Sequence, residues 1–276
     1  MESSFIQRIY EKHKNCTKCP STVLVPKFFT DLLGILFPNF ASTPVLDYSE
    51  FQKRIQMIKM EMIQILSRNF SEEEFDPIEQ SELFFSGLPD VYDKLQLDID
   101  AMFAGDPAAK NREEVIRSYP GFYAIAAFRI AHSLTKLGVS NIPRMITEHA
   151  HGKTGIDINP YANIGDYFCI DHGTGVVIGE TTDIGAHVKV YQGVTLGALS
   201  VNKEDAKIKR HPTIEDNVVI YAGATILGGN TTIGKNSIVG GNVWLTKSIP
   251  PESKVYYKAQ MYTEDENEKP DLIIFK

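Results

Sequence analysis

Residues 156–197 read IDINPYANIGDYFCIDHGTGVVIGETTDIGAHVKVYQGVTLG, and a single spacing runs through them. Aliphatic side chains fall six apart at Ile158, Ile164, Ile170 and Val176, and again at Ile178, Ile184, Val190 and Leu196. After an interruption they resume at Ile214, Ile220 and Ile226, then at Ile233, Val239 and Leu245. A period of six suits neither an amphipathic helix, whose apolar residues recur every three or four, nor an alternating strand. It suits a coil that turns a corner every six residues, three edges closing a triangular turn. The aliphatic residue then points into the prism, and stacked turns pair edge to edge as short parallel strands. Glycine often follows the aliphatic residue, as in Ile164-Gly165, Ile178-Gly179, Ile184-Gly185 and Ile233-Gly234, and is expected to supply the positive φ of a tight corner. The polar segment ALSVNKEDAKIKR at 198–210 carries no hexad and reads as a loop thrown out of the coil, of the kind that builds binding sites.

The preceding half has another rhythm. Phe51, Ile55, Ile58, Met62 and Ile65 recur at helical spacing, and breaks are expected at Thr43-Pro44, Gly87-Leu88-Pro89, Gly105-Asp106-Pro107, Tyr119-Pro120-Gly121 and Gly138. A last pair of helices is expected at about 120–138 and 142–152. The expected fold class is α+β: an all-helical domain over 1–153, a parallel β-helix of hexapeptide repeats over 154–250, and a tail over 251–276.

Composition narrows the partners. The 276 residues are 43% hydrophobic, enough to bury a substantial core, and carry a net charge of −7 with a pI near 5.5, which disfavours nucleic acid. The N-terminus MESSFIQRIYEKHKN is unlike a signal peptide, and the longest apolar run, FFTDLLGILF at 28–37, is short and holds Asp31. A soluble cytoplasmic protein is expected, without a membrane partner. With three cysteines, reduced thiols are expected. Cys16 and Cys19, near His13, lack the further ligands of a zinc site and read as two thiols near a helix end.

Linked motifs carry a more specific message. They are Gly105-Asp106-Pro107-Ala108, Gly121-Phe122, Phe128-Arg129-Ile130-Ala131-His132, Ile156-Asp157-Ile158-Asn159-Pro160, and the run DHGTGVVIGET at 171–181. Gln192-Gly193-Val194-Thr195-Leu196-Gly197 and Lys209-Arg210-His211-Pro212 follow. Over roughly 90–250 this resembles the serine acetyltransferase family. The resemblance implies a left-handed β-helix that transfers acetyl from acetyl-CoA, as co-substrate and with no metal, to the hydroxyl of L-serine, giving O-acetylserine for cysteine biosynthesis.

An alcohol needs a base before it attacks a thioester, and a neutral imidazole steadied by a carboxylate supplies one. By resemblance His172 is that base and Asp157 its partner, fifteen residues apart and so close to one coil. A zwitterionic acceptor calls for carboxylates near its ammonium and cations near its carboxylate. Likeness assigns Asp106 and Asp171 to the first task, Arg210 and His211 to the second. Asp106 also reads as the cap of a helix beginning near Pro107. Gly197, Ala198, Ala222, Gly223 and Gly241 are expected to meet CoA in a groove between adjacent prisms, and read equally as small corner residues.

The resemblance further implies a homotrimer, paired into a hexamer in many members. Family tails that dock into cysteine synthase end in Ile, whereas this one ends in Lys276. Three rival readings keep the repeat: an acetyltransferase for sugars or xenobiotics, a zinc hydratase using His172, His187 and His211, and a non-catalytic scaffold.

Overall fold

The computed structural model describes residues 3–16, 19–69, 76–199 and 208–257. The chain divides into two compact units, one of Met1–Asp93 with Arg129–His149, the other of Lys94–Phe128 with Ala150–Lys276. The division therefore falls inside the helical half.

The first unit is helical. It contains α1 (Ser3–Asn15), α2 (Leu24–Leu36), a 3-10 turn at Pro38–Phe40, α3 (Tyr48–Ser67) and α4 (Pro77–Ser86). The first residues of α5 (Leu88–Gly105), the second half of α7 (Pro120–Lys136) and the larger part of α8 (Ile142–Thr154) complete it. Val25, Phe28, Phe29, Leu32 and Leu33 form the buried stripe of α2, and Ile58, Met62, Ile65 and Leu66 that of α3. Asp47 and Asp76 start α3 and α4 by accepting the Glu50 and Ile78 N–H groups, each at 2.8 Å. The observed breaks follow the Pro and Gly signals. No helix among the described residues is long and apolar enough to cross a membrane.

Cys16 and Cys19 are joined by a disulfide, which corrects the expected pair of thiols; two intervening residues bring their Cα atoms to 5.8 Å, within bridging range. Cys169 is free and buried.

The second unit holds the rest of α5, α6 (Arg112–Ser118), the start of α7 and a left-handed parallel β-helix. Its first face stacks β1 (Asp157–Ile158), β4 (Val177–Ile178), β7 (Thr195–Gly197), β10 (Thr225–Leu227) and β13 (Trp244–Leu245). The second stacks β2 (Asn163–Ile164), β5 (Asp183–Ile184), β8 (Thr213–Ile214) and β11 (Thr232–Ile233). The third stacks β3 (Cys169–Asp171), β6 (Lys189–Tyr191), β9 (Val219–Ile220), β12 (Ile238–Val239) and β14 (Lys254–Val255). Every pairing is parallel and in register, so Ile158, Ile178, Leu196 and Ile226 form one buried column. Ile164, Ile184, Ile214 and Ile233 form a second, and Ile170, Val190, Ile220 and Val239 a third. Each such burial contributes about 1.5–3 kcal/mol, so the period of six is enforced by the core.

Two expectations need correction. The glycines after the aliphatic residues do not carry positive φ: that falls later in the corner, on Tyr167, His187, Asn217 and Asn236. Gly165 is required because the neighbouring coil lies against it, a Cβ there meeting Gly185 C at 2.6 Å; Asp216 Oδ1 would sit 2.2 Å from one on Gly185. The register also does not pass from Ile170 to Val176. It passes to Ile178, which pairs with Leu196 as Ile170 pairs with Val190, so this corner holds two residues more than the one above it. Val176 is buried in the corner itself. The expected loop runs through 200–207, which, like the tail from 258, lie outside the described residues.

Candidate active site

The enlarged corner between the third and first faces carries His172. Gly175 stacks under Gly193, and the Gly193 N–H donates to the Thr174 carbonyl at 2.9 Å, as that of Gly223 does to Gln192. The alignment leaves His172 and Gly173 as the inserted pair. His172 adopts φ 57° and its side chain is 73% exposed, its Nε2 lying 3.8 Å from Asp171 Oδ1. Its neighbour Asp171, at the end of β3, is nearly buried and paired with Lys189 from β6 at 2.8 Å.

Two helix ends close on this corner. Gly121, in the first turn of α7, sits flush on β3: an added Cβ would stand 2.4 Å from the Ile170 carbonyl oxygen. Gly105 ends α5 beside Cys169 and Lys189, and the Lys189 ammonium donates to its carbonyl at 2.6 Å. Asp106 follows. Its carboxylate accepts the Tyr119 hydroxyl at 2.5 Å and the Ala108 N–H at 2.8 Å, while its carbonyl accepts the Ala109 N–H at 3.1 Å. This is an Asx turn and not the expected helix cap, because the next helix, α6, starts at Arg112 and is capped by Asn111.

The Tyr119 hydroxyl, then the Ala108 N–H, hold Asp106 below the usual carboxylate range, with Lys189 and His172 adding to the effect. The same bond pushes Tyr119 up to about 12. Burial opposes the charge on Lys189, but its bonds to Asp171 and Tyr191 prevail and raise its pKa. Burial pushes the Cys169 thiol up to about 12, leaving it an inert wall.

Asp157 opens β1 one coil below. It pairs with Val177, its N–H donating to the Val176 carbonyl at 2.9 Å. His151 also approaches it, the two residues offering ligand atoms within 4.8 Å of each other.

Arg210 and His211 stand at a different corner, between the first and second faces. Thr181 organises both: its hydroxyl oxygen accepts the Arg210 N–H at 2.9 Å and the His211 N–H at 3.1 Å. His211 Nδ1 lies 2.9 Å from that hydroxyl and accepts the Thr181 N–H at 3.1 Å, which places the ring proton on Nε2. The ring lies directly over Gly179, where a Cβ would be 2.0 Å from Cδ2. Burial, then the charge of Arg210, lower His211 to about 4, so the ring is neutral near pH 7. Arg210 is ion-paired with Glu180, and Lys209 with Asp183 at 2.6 Å. A groove of about 530 Å³ opens beside them, lined by Leu199, Lys209, Arg210, Lys247 and the backbone around Gly228-Gly229.

One chain therefore gathers Asp106, Asp171 and His172 at one corner, with Asp157 a coil beneath, and Arg210 and His211 at another. The small residues divide the same way: Ala222, Gly223 and Gly241 lie at the His172 corner, Gly197 and Ala198 on the Arg210 side. His187 occupies the third corner, its ring stacked on Tyr167 at 4.3 Å, so His172, His187 and His211 do not converge within one chain. Sequence reasoning missed Lys189 and Tyr119. Tyr119 sat in a segment read only as a break. Lys189 was findable from the repeat, since the pairing of Asp171 with Tyr191 puts it diagonally across from Asp171.

No family model matches the chain. A serine acetyltransferase (plasmid) of Synechococcus elongatus is 51% identical over 177 residues, 62% of this chain and 55% of the relative. One from Bacillus pumilus is 44% identical over 161 residues, 58% of this chain and 72% of that protein. The chain spans 55%, 60% and 59% of the first three curated relatives it matches. Among solved structures, Entamoeba histolytica serine acetyltransferase 1 in complex with L-cysteine superimposes with a TM-score of 0.75 at 32% identity, over 92% of this chain and 97% of that one. The Neisseria gonorrhoeae enzyme in complex with serine gives 0.60 at 26%, over 84% and 81%. A serine acetyltransferase in complex with CoA gives 0.58 at 26%, over 84% and 81%. With 44% identity to a relative of which the chain covers 72%, and structural likeness to another over 92% of its own length, the chain belongs to the serine acetyltransferase family.

Proposed function

We propose that this chain is a serine O-acetyltransferase that moves acetyl from acetyl-CoA to the hydroxyl of L-serine, supplying O-acetylserine for cysteine biosynthesis. The observation that carries this reading is the insertion that lifts an exposed imidazole, His172, beside two carboxylates, Asp171 and Asp106. A histidine base next to an anionic pocket suits an acceptor bearing both a hydroxyl and an ammonium group. Relatives bound to serine, L-cysteine and CoA support the same ligands here.

In the reaction, the serine ammonium rests against Asp106 and Asp171. His172 takes the hydroxyl proton as the serine oxygen attacks the thioester carbonyl. Asp157, from the coil below, steadies the imidazolium that forms. The tetrahedral intermediate collapses with loss of the CoA sulfur, which receives the proton from His172, leaving O-acetylserine and CoA. No acyl-enzyme is needed.

Arg210 and His211 serve the serine carboxylate, His211 through its neutral Nε2–H. Because they stand at another corner, the full set requires two prisms, the His172 corner of one facing the Arg210 corner of its neighbour. A homotrimer satisfies this around a threefold axis, giving three equal sites. The division of small residues between the same two corners fits a CoA arm lying along that seam, with Lys209 and Lys247 of the basic groove suited to its phosphates.

The test is release of CoA thiol from acetyl-CoA with L-serine, other amino acids, sugars or no acceptor. Serine-dependent release that falls 10²–10⁴-fold in His172→Ala, with the assembly intact, supports the reading. Release with a sugar alone, or full activity in the variant, removes it.

A further inference from the structure

Lys189 belongs to no motif, yet its ammonium lies at the centre of the acidic pocket. It contacts Asp171 at 2.8 Å and the Gly105 carbonyl at 2.6 Å, and lies 4.5 Å from the centre of the Tyr191 ring. Its side chain is only 16% exposed, so these contacts are made largely out of water, where ion pairs are screened least. Gly105 is the last residue of α5 and Asp106 the next in the chain, so one ammonium group fastens the turn bearing Asp106 to the strand end bearing Asp171. Tyr119, bonded to the far side of Asp106, fixes that carboxylate's orientation.

The charge count is equally informative. Two carboxylates in one pocket repel each other, and together they would carry two negative charges toward an acceptor that offers a single ammonium group. With Lys189 inside, the pocket carries one. We propose that Lys189 is a positioning and charge-setting residue of the acceptor site: it holds Asp106 and Asp171 in one pocket and cancels one of their charges, leaving a single negative charge for one α-ammonium group. This rests on the assignment of that pocket to serine.

Lys189 touches neither reacting atom, so its loss acts on acceptor binding and not on the chemical step. In Lys189→Met the KM for serine rises about tenfold, the equivalent of losing one charge-assisted contact, while kcat and the KM for acetyl-CoA stay within about threefold. Lys189→Arg retains the charge and both hydrogen-bonding directions and returns the serine KM to within about threefold of the parent. Should the Met variant fail to fold, Lys189→Ser, short and polar on the same strand, is read in its place.

The experiment is steady-state kinetics with each substrate varied, on the parent and these variants, alongside thermal unfolding. A serine-specific rise in KM that Arg rescues supports the role. A parent that acetylates serine, with variants whose serine KM is unchanged or whose two KM values rise together, overturns the inference while leaving the reaction in place. A parent that releases no CoA with serine removes the reaction itself, and the inference with it.

Discussion

Gly179→Ala tests how His211 is held. A Cβ at position 179 would stand 2.0 Å from His211 Cδ2, 2.1 Å from Nε2 and 2.7 Å from Cγ, whereas carbon atoms in contact keep about 3.5–4.0 Å apart. The ring must therefore retreat by about 1.5 Å. It cannot do so freely, because Nδ1 is held by the Thr181 hydroxyl at 2.9 Å and the Thr181 N–H at 3.1 Å. Overpacking of this kind costs about 1–3 kcal/mol, and stranding a buried hydrogen-bonding group a further 1–3 kcal/mol. Roughly 2–4 kcal/mol of lost stability is expected, a fall of about 5–15 °C in Tm at about 2–4 °C per kcal/mol. Displacing Nε2–H by the same distance should raise the KM for serine about tenfold, the equivalent of one hydrogen bond. Thermal unfolding and serine-dependent CoA release measure both effects. Gly152→Ala is the control: it lies in α8 with nothing within 4 Å of an added Cβ, so it should be neutral or raise stability by about 0.5–1 kcal/mol. Equal Tm and equal serine KM for Gly179→Ala and the parent would refute the claim that the ring fills the space a side chain would need.

Further expectations follow from other contacts. Gly121→Ala drives a Cβ to 2.4 Å from the Ile170 carbonyl, an immovable backbone atom, so it should lift α7 off β3 and reduce soluble, folded protein more than Gly179→Ala does. His211 has a folded pKa of about 4 against 6.5 for the free side chain, so the unfolded chain binds the proton first as pH falls. Stability should therefore be full above pH 6.5 and decline toward pH 4, by up to about 3 kcal/mol, and His211→Gln should flatten that part of the denaturation-versus-pH curve. His172→Ala should leave Tm unchanged, since its side chain is 73% exposed; a large fall in Tm would assign it a structural task.

The repeat was legible because its signal is a packing requirement: an aliphatic residue out of register by one position would leave the core and face water. The glycines were visible too, but their reason was not. A sequence shows that a side chain is missing, and only the stacked coil shows that Gly165 faces Gly185 C rather than a left-handed turn. The inserted pair at His172 hid for a related reason, since Val176 lies six residues from Ile170 and imitates the hexad from within the corner. Of the candidate site, the residues inside motifs could be named, but not their grouping. Arg210 and His211 follow a segment that carries no repeat, and only the hydrogen bonds to Thr181 show that they return to its corner. Lys189 lay outside every motif, and its importance comes from a diagonal neighbour on the adjoining coil. The Cys16–Cys19 bond depends on a Cα separation that a C-x-x-C pattern permits without enforcing.

The His172-Gly173 insertion also shows how locally the coil absorbs a change in length. Strand pairing links each coil only to the coils above and below, and the register lost after Ile170 is regained at Ile178, so the extra pair leaves the later pairings in line. A chain without it would have an ordinary corner there, like the one at Gln192-Gly193, and the same stack of coils. The fold thus accepts two extra residues at one corner while the columns of buried aliphatic side chains on either side stay in line.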